Sequence, residues 1–219
     1  MLGVGKRLKP TDLRVDLRGR VFRYLLLIAA AAGIAMYFLV LRPDMGKTEE
    51  TLGALASQIA GRPVSVKCQG VIKEAVDVSA AEGEVLFENG EPTDVAELKR
   101  GICIELADFP KTLEDERYRC LASSDACPKE IIKRVVAVHT LTHEAWHLRG
   151  VQDERVTECY AMQTSEIVAR RLGASQALAR AMAVYYANER YTRLSSSYQS
   201  PFCRDGSRYD LNRGSRVWP

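Results

Sequence analysis

The chain has no C-x-x-C pair, no internal repeat, and only three histidines in 219 residues. The missing pair excludes a cysteine zinc ribbon and a thioredoxin-type redox motif. Beyond the N-terminal tail, no clustered basic stripe interleaved with aromatics occurs, so nothing points to nucleic-acid binding. With 47% hydrophobic and 27% charged residues, the composition carries no signature of disorder or of collagen.

Long apolar runs are nearly absent too, with one exception. Tyr24–Leu41, YLLLIAAAAGIAMYFLVL, has no charged residue. As a helix it would reach roughly 27 Å, close to the thickness of a hydrocarbon core. No small-x-small cleavage site follows it, which favours a retained transmembrane anchor over a signal peptide. Residues 1–23 carry seven basic and two acidic residues, leaving 24 basic and 26 acidic residues for the rest. Such a tail is expected to stay cytoplasmic, with the C-terminal domain outside. The predicted organisation is a basic cytoplasmic tail over 1–23, an anchor over 24–41, a linker over 42–47 and an extracytoplasmic domain over 48–219. That places the protein at the cell membrane with a single pass.

Six cysteines, Cys68, Cys103, Cys120, Cys127, Cys159 and Cys203, all lie beyond the anchor. An even count in an exported domain suggests disulfides, for which six cysteines allow 15 pairings. Cys120 with Cys127 and Cys159 with Cys203 are the pairs expected here.

Within the domain, Leu52, Leu55 and Ile59 have helical spacing over Thr48–Ala60, and Val64–Val66 alternates like a strand. Asn89-Gly90 interrupts the run Glu84–Leu98 and predicts a hairpin, because a type I′ turn needs positive φ at both central residues. Ile102–Phe109 is expected to form a short helix. A longer helix is predicted to start at Pro128 and stop at Gly150, since proline suits a first turn and glycine a left-handed cap. Two more helices should follow, Gln152–Leu172 and Ser175–Leu194, then an irregular Ser/Gly/Arg-rich tail. The class is α+β, a small sheet followed by consecutive helices around one core.

The predicted long helix contains His143-Glu144-Ala145-Trp146-His147, an H-E-x-x-H pattern. Residues four apart share a helix face, so both imidazoles can reach one Zn²⁺. Glu144 is then placed to take a proton from a water held by the metal as it attacks a carbonyl. Acidic residues follow at once, Asp153, Glu154 and Glu158. His139 reads as a partly exposed helix histidine, and Trp146 and Tyr185-Tyr186 as packing residues. Cys159 reads as a disulfide partner, not a nucleophile.

This stretch resembles the zincin metallopeptidases. In the gluzincin group H-E-x-x-H is followed by a second helix bearing E-x-x-[AST]-[DE], which Glu154–Glu158 matches. The resemblance implies a zincin-like domain with His143, His147 and Glu154 as zinc ligands, Glu144 as general base, and Glu158 orienting a histidine from behind. Gluzincins place more residues between the second histidine and the third ligand than the six found here. The metzincin pattern H-E-x-x-H-x-x-G-x-x-[HD] also fits, with Gly150 in place and Asp153 as third ligand. The chain further resembles membrane-anchored bacterial proteins that carry an HEAWHLRG-like motif. No histidine follows His147, so a tyrosine or an arginine would have to stabilise the oxyanion. The expected function is zinc-dependent peptide hydrolysis on a protein or peptide substrate. The alternative is a non-catalytic anchored binding module whose zinc is structural or vestigial. The edge of the Glu84–Leu98 hairpin offers a place for an extended substrate strand.

Overall fold

A computed structural model describes residues 10–40, 45–70, 73, 81–123, 125–215 and 217–219; in the first range, side chains are described for residues 19–34. The chain divides into two compact units, Met1–Pro43 and Asp44–Pro219. The first contains helix α1, Pro10–Val40.

The expected transmembrane anchor is corrected here. Among the described residues, no helix is long and apolar enough to cross a membrane. Arg20 and Arg23 sit in α1 just before the apolar stretch. Its uncharged part, residues 24–40, is at the lower end of the roughly 20 predominantly apolar residues a span needs. Leu41, the end of the predicted anchor, lies outside the described residues, as do the first nine residues of the tail and linker residues 42–44.

The second unit opens with α2, Met45–Ala60, which begins three residues before the predicted start. Leu52, Leu55 and Ala56 form its buried face. Three strands follow: β1 (Ser65–Cys68), β2 (Gly83–Glu88) and β3 (Glu91–Leu98). Asn89 and Gly90 take φ of 55° and 87°, as the hairpin reading requires, and Glu88 pairs with Glu91 across the turn. β1 pairs with β3 in parallel, so the sheet order is β1-β3-β2. β2 is therefore an edge strand.

Helix α3, Arg100–Asp108, buries Ile102, Cys103 and Leu106. The long predicted helix is α4, Lys129–Leu148. Its amphipathic start gives way to an entirely covered second half, in which every residue from Ala137 to Leu148 is buried. The sheet and helices α2, α3 and α5 (Glu154–Arg171) all pack on it. A helix in that position cannot be a solvated polar face, so its Thr, His and Glu side chains must find partners inside the protein.

Gly150 ends α4 at φ 101°, with Gly150 N–H donating to His147 O and Val151 N–H donating to Trp146 O. These two bonds make a Schellman cap. Gly173 repeats the device after α5, at φ 105°. Ser175 Oγ then accepts from Leu178 N–H and caps α6, Gln176–Tyr185. The predicted last helix changes character where α6 ends. Tyr186–Arg190 carries a wider turn, with Tyr191 N–H donating to Tyr186 O five residues back. Such widened turns are frequent at functional sites.

Three disulfides cross-link the unit: Cys68–Cys103, Cys120–Cys127 and Cys159–Cys203. The last two are the expected pairs. Their presence fits an oxidising compartment.

Candidate metal centre

His143 and His147 lie one turn apart on α4 and turn their Nε2 atoms toward each other, 3.0 Å apart. Glu154 opens α5 after the Gly150 turn. Its Oε2 lies 3.0 Å from His143 Nε2 and 3.3 Å from His147 Nε2. Two imidazole nitrogens and one carboxylate oxygen thus converge on one point, a group that could hold a metal ion. The donor set suits a borderline metal such as zinc.

Each histidine is oriented from behind. His147 Nδ1–H donates to Val151 O at 2.7 Å, and that carbonyl is placed by the Gly150 turn. His143 Nδ1–H donates to Glu158 Oε2 at 2.9 Å. With the protons on Nδ1, both Nε2 lone pairs are left for a metal. Glu158 is buried and accepts twice more, from His139 Nε2–H at 3.0 Å and from Tyr186 O–H at 2.8 Å. Burial would raise the Glu158 carboxyl, but the charges and hydrogen bonds of His139 and His143 outweigh it and hold the group well below the usual carboxylate range.

Asp153, the rival third ligand, is engaged elsewhere. It is the N-cap of α5, and its Oδ1 accepts from Arg155 N–H at 2.9 Å while the carboxylate pairs with the Arg155 guanidinium. His139 departs from its expected exposure. It is 3% exposed and stacks on Tyr186, with ring centroids 3.6 Å apart. Four residues advance a helix by about 40° past a full turn, which leaves His139 on the His143 face. His139, His143 and Glu158 form a second cluster that could bind a metal. All three are buried, whereas Glu154 is half-exposed and opens to a cavity of about 880 Å³. Tyr186, expected as packing, both packs and donates to Glu158.

Glu144 also lines this cavity, from one residue beyond His143. It is 4% exposed, and its Oε2 has no hydrogen-bond partner. Burial raises its carboxyl, against the lowering effect of His143 and His147. A buried, unpartnered acid beside a ligand cluster has the properties of a proton acceptor whose partner is the reactant. Its position depends on Gly83, at the start of β2. A Cβ on Gly83 would lie 2.7 Å from Glu144 Oε1 and 2.8 Å from Leu98 Cδ2. Only glycine lets the sheet edge come this close. Gly83→Ala is therefore expected to destabilise the domain by about 1–3 kcal/mol through overpacking, read as a lowered unfolding midpoint. An unchanged midpoint would mean that Glu144 moves freely.

Three further residues close the cavity wall at steps of four after Tyr186: Arg190, Leu194 and Tyr198. The Tyr198 ring lies 6.2 Å from the His143 ring. Burial and the carboxylates of Glu154, Glu158 and Glu144 raise its phenol. Among the described residues its hydroxyl has no hydrogen-bond partner. The sequence offered no period to mark Tyr198, because it follows the helices in a segment of turns. No family model, no curated protein and no solved structure matches the chain.

Proposed function

We propose that the chain is a zinc-dependent peptidase, with His143, His147 and Glu154 as ligands and Glu144 as general base. The observation that carries this reading is the pairing of three converging donors with a buried, unpartnered carboxylate on the same cavity. A structural zinc has four protein ligands, whereas a catalytic one keeps a position open. Here the fourth candidates are both occupied, His139 by Glu158 and Asp153 by the helix N-terminus. That favours catalysis over a structural site.

The bound metal would polarise a carbonyl and lower the pKa of a water. The protein's own residues do the rest. Glu144 accepts the water's proton, Glu158 and Val151 O keep the histidines in the correct tautomer, and Tyr198 is free to donate to the oxygen that gains charge. β2 forms one wall of the cavity, and its outer edge can pair with an extended peptide.

The test is direct: metal content of the purified protein, then exposure to a mixed peptide library with and without a chelator. Cleavage that survives complete metal removal sinks the reading.

Affinity for the metal should depend on pH. Burial pulls the His143 imidazole down, but hydrogen bonds to Glu154 and Glu158 and the charge of Glu144 carry it up to about 10 in the metal-free protein. His143 is thus protonated at neutral pH and must lose that proton to bind. Below this value, zinc affinity is expected to rise roughly tenfold per pH unit, as competition titrations would show. Glu154 remains ionised throughout: burial would raise it, yet the two histidines hold it at about 2.

A further inference from the structure

The cavity walls are rich in acid, with Glu82, Glu84, Glu144, Glu154 and Glu158, yet among the described residues they hold one guanidinium, that of Arg190. Arg190 is half-buried. Among the described residues its side chain has no ion pair and no hydrogen bond. Its neighbour Glu189 would be a ready partner, but that carboxylate goes to Arg193 at 2.7 Å. Arg190 stands one turn beyond Tyr186, close enough for its charge to act on the phenol that donates to Glu158. An unpartnered cation is therefore held on the wall that is joined to the ligand His143 through Tyr186 and Glu158.

The acids do not cancel it. Glu154 and Glu158 are committed to the histidines, and Glu144 is buried against Gly83. Glu82 and Glu84 belong to the β2 side of the cavity. Arg190 has five N–H donors in a planar fork that matches a carboxylate.

We propose that Arg190 anchors a carboxylate of the substrate, so that the protein selects peptides carrying a free C-terminal carboxylate or an acidic side chain near the bond that is cut. This rests on the peptidase reading and narrows its substrate class. The selectivity arises because an amide or uncharged side chain in the same place leaves the guanidinium unpaired as water is displaced.

The experiment measures binding without turnover, in full-length Glu144→Gln protein loaded with Zn²⁺. Calorimetry compares two pairs of short peptides. One pair differs only in a C-terminal carboxylate or amide, the other only in Glu or Gln. The acid member of one pair is expected to bind about tenfold tighter, and that pair identifies the source of the carboxylate. Arg190→Gln should abolish the preference, and Arg190→Lys should keep part of it while controlling for folding. Equal binding within both pairs, no binding by any peptide, or a preference that survives Arg190→Gln overturns the proposal. Cleavage by the wild type is scored separately. Peptides cleaved without acid preference sink the Arg190 anchor alone, whereas acid-selective binding with no cleavage sinks the peptidase reading alone.

Discussion

Zinc-loaded Glu144→Gln protein is expected to keep its metal and lose peptide hydrolysis by at least about 10²–10⁴-fold, the usual contribution of a positioned acid or base. Gln has the same shape, so the close approach to Gly83 survives. The amide cannot accept a proton from water at neutral pH. None of the hydrogen bonds that orient His143 or His147 involves Glu144, which is why metal content should not move. Burial gives the carboxylate its leverage: with its Oε2 unpartnered, nothing in the protein competes with the reactant for it. Equal cleavage by wild type and Glu144→Gln would end the proposed mechanism.

The second large effect separates Glu154 from Asp153. Glu154→Ala removes an atom 3.0 Å from His143 Nε2 and should cost more metal affinity than loss of any outer partner. Glu158→Ala, which releases both His143 and His139, should weaken binding by roughly 10–100-fold. Asp153→Ala should leave affinity close to wild type and cost about 1 kcal/mol of stability, the worth of a helix cap. Equilibrium dialysis against a zinc indicator gives the ranking. If Asp153→Ala comes out metal-free and Glu154→Ala nearly normal, the site belongs to the metzincin-like pattern.

The local parts of this fold were legible because they obey local rules. Asn89-Gly90 makes its turn by backbone conformation, and Gly150 and Gly173 end helices for the same reason. His143, His147 and Glu154 come together because six residues and one turn separate the last two. What spacing could not show is what packs on α4. The burial of His139 depends on Tyr186, 47 positions later, and on Glu158. The need for glycine at position 83 depends on how closely the sheet edge approaches Glu144. Nothing in the sequence marks Arg190, because its lack of a partner depends on its neighbour Glu189 being taken by Arg193. The apolar run at residue 24 misled for a related reason. Counting uncharged residues gave a span of adequate length, whereas the described helix, with its arginines, is not apolar enough over that length.

The Gly150 turn has a consequence for the order in which the molecule assembles. It joins the two ligand-bearing helices by a very short path, so the loop that a metal would close runs only from His143 to Glu154. Closing so short a loop removes somewhat less entropy from the unfolded chain, about 3 kcal/mol against about 4 for the 44-residue separation of Cys159–Cys203 or the 35-residue separation of Cys68–Cys103. As a cross-link, the ion therefore adds less than either long-range disulfide that already holds the domain together. The metal-free domain should fold, with its ligands waiting in place, and metal capture becomes a late event in the protein's maturation.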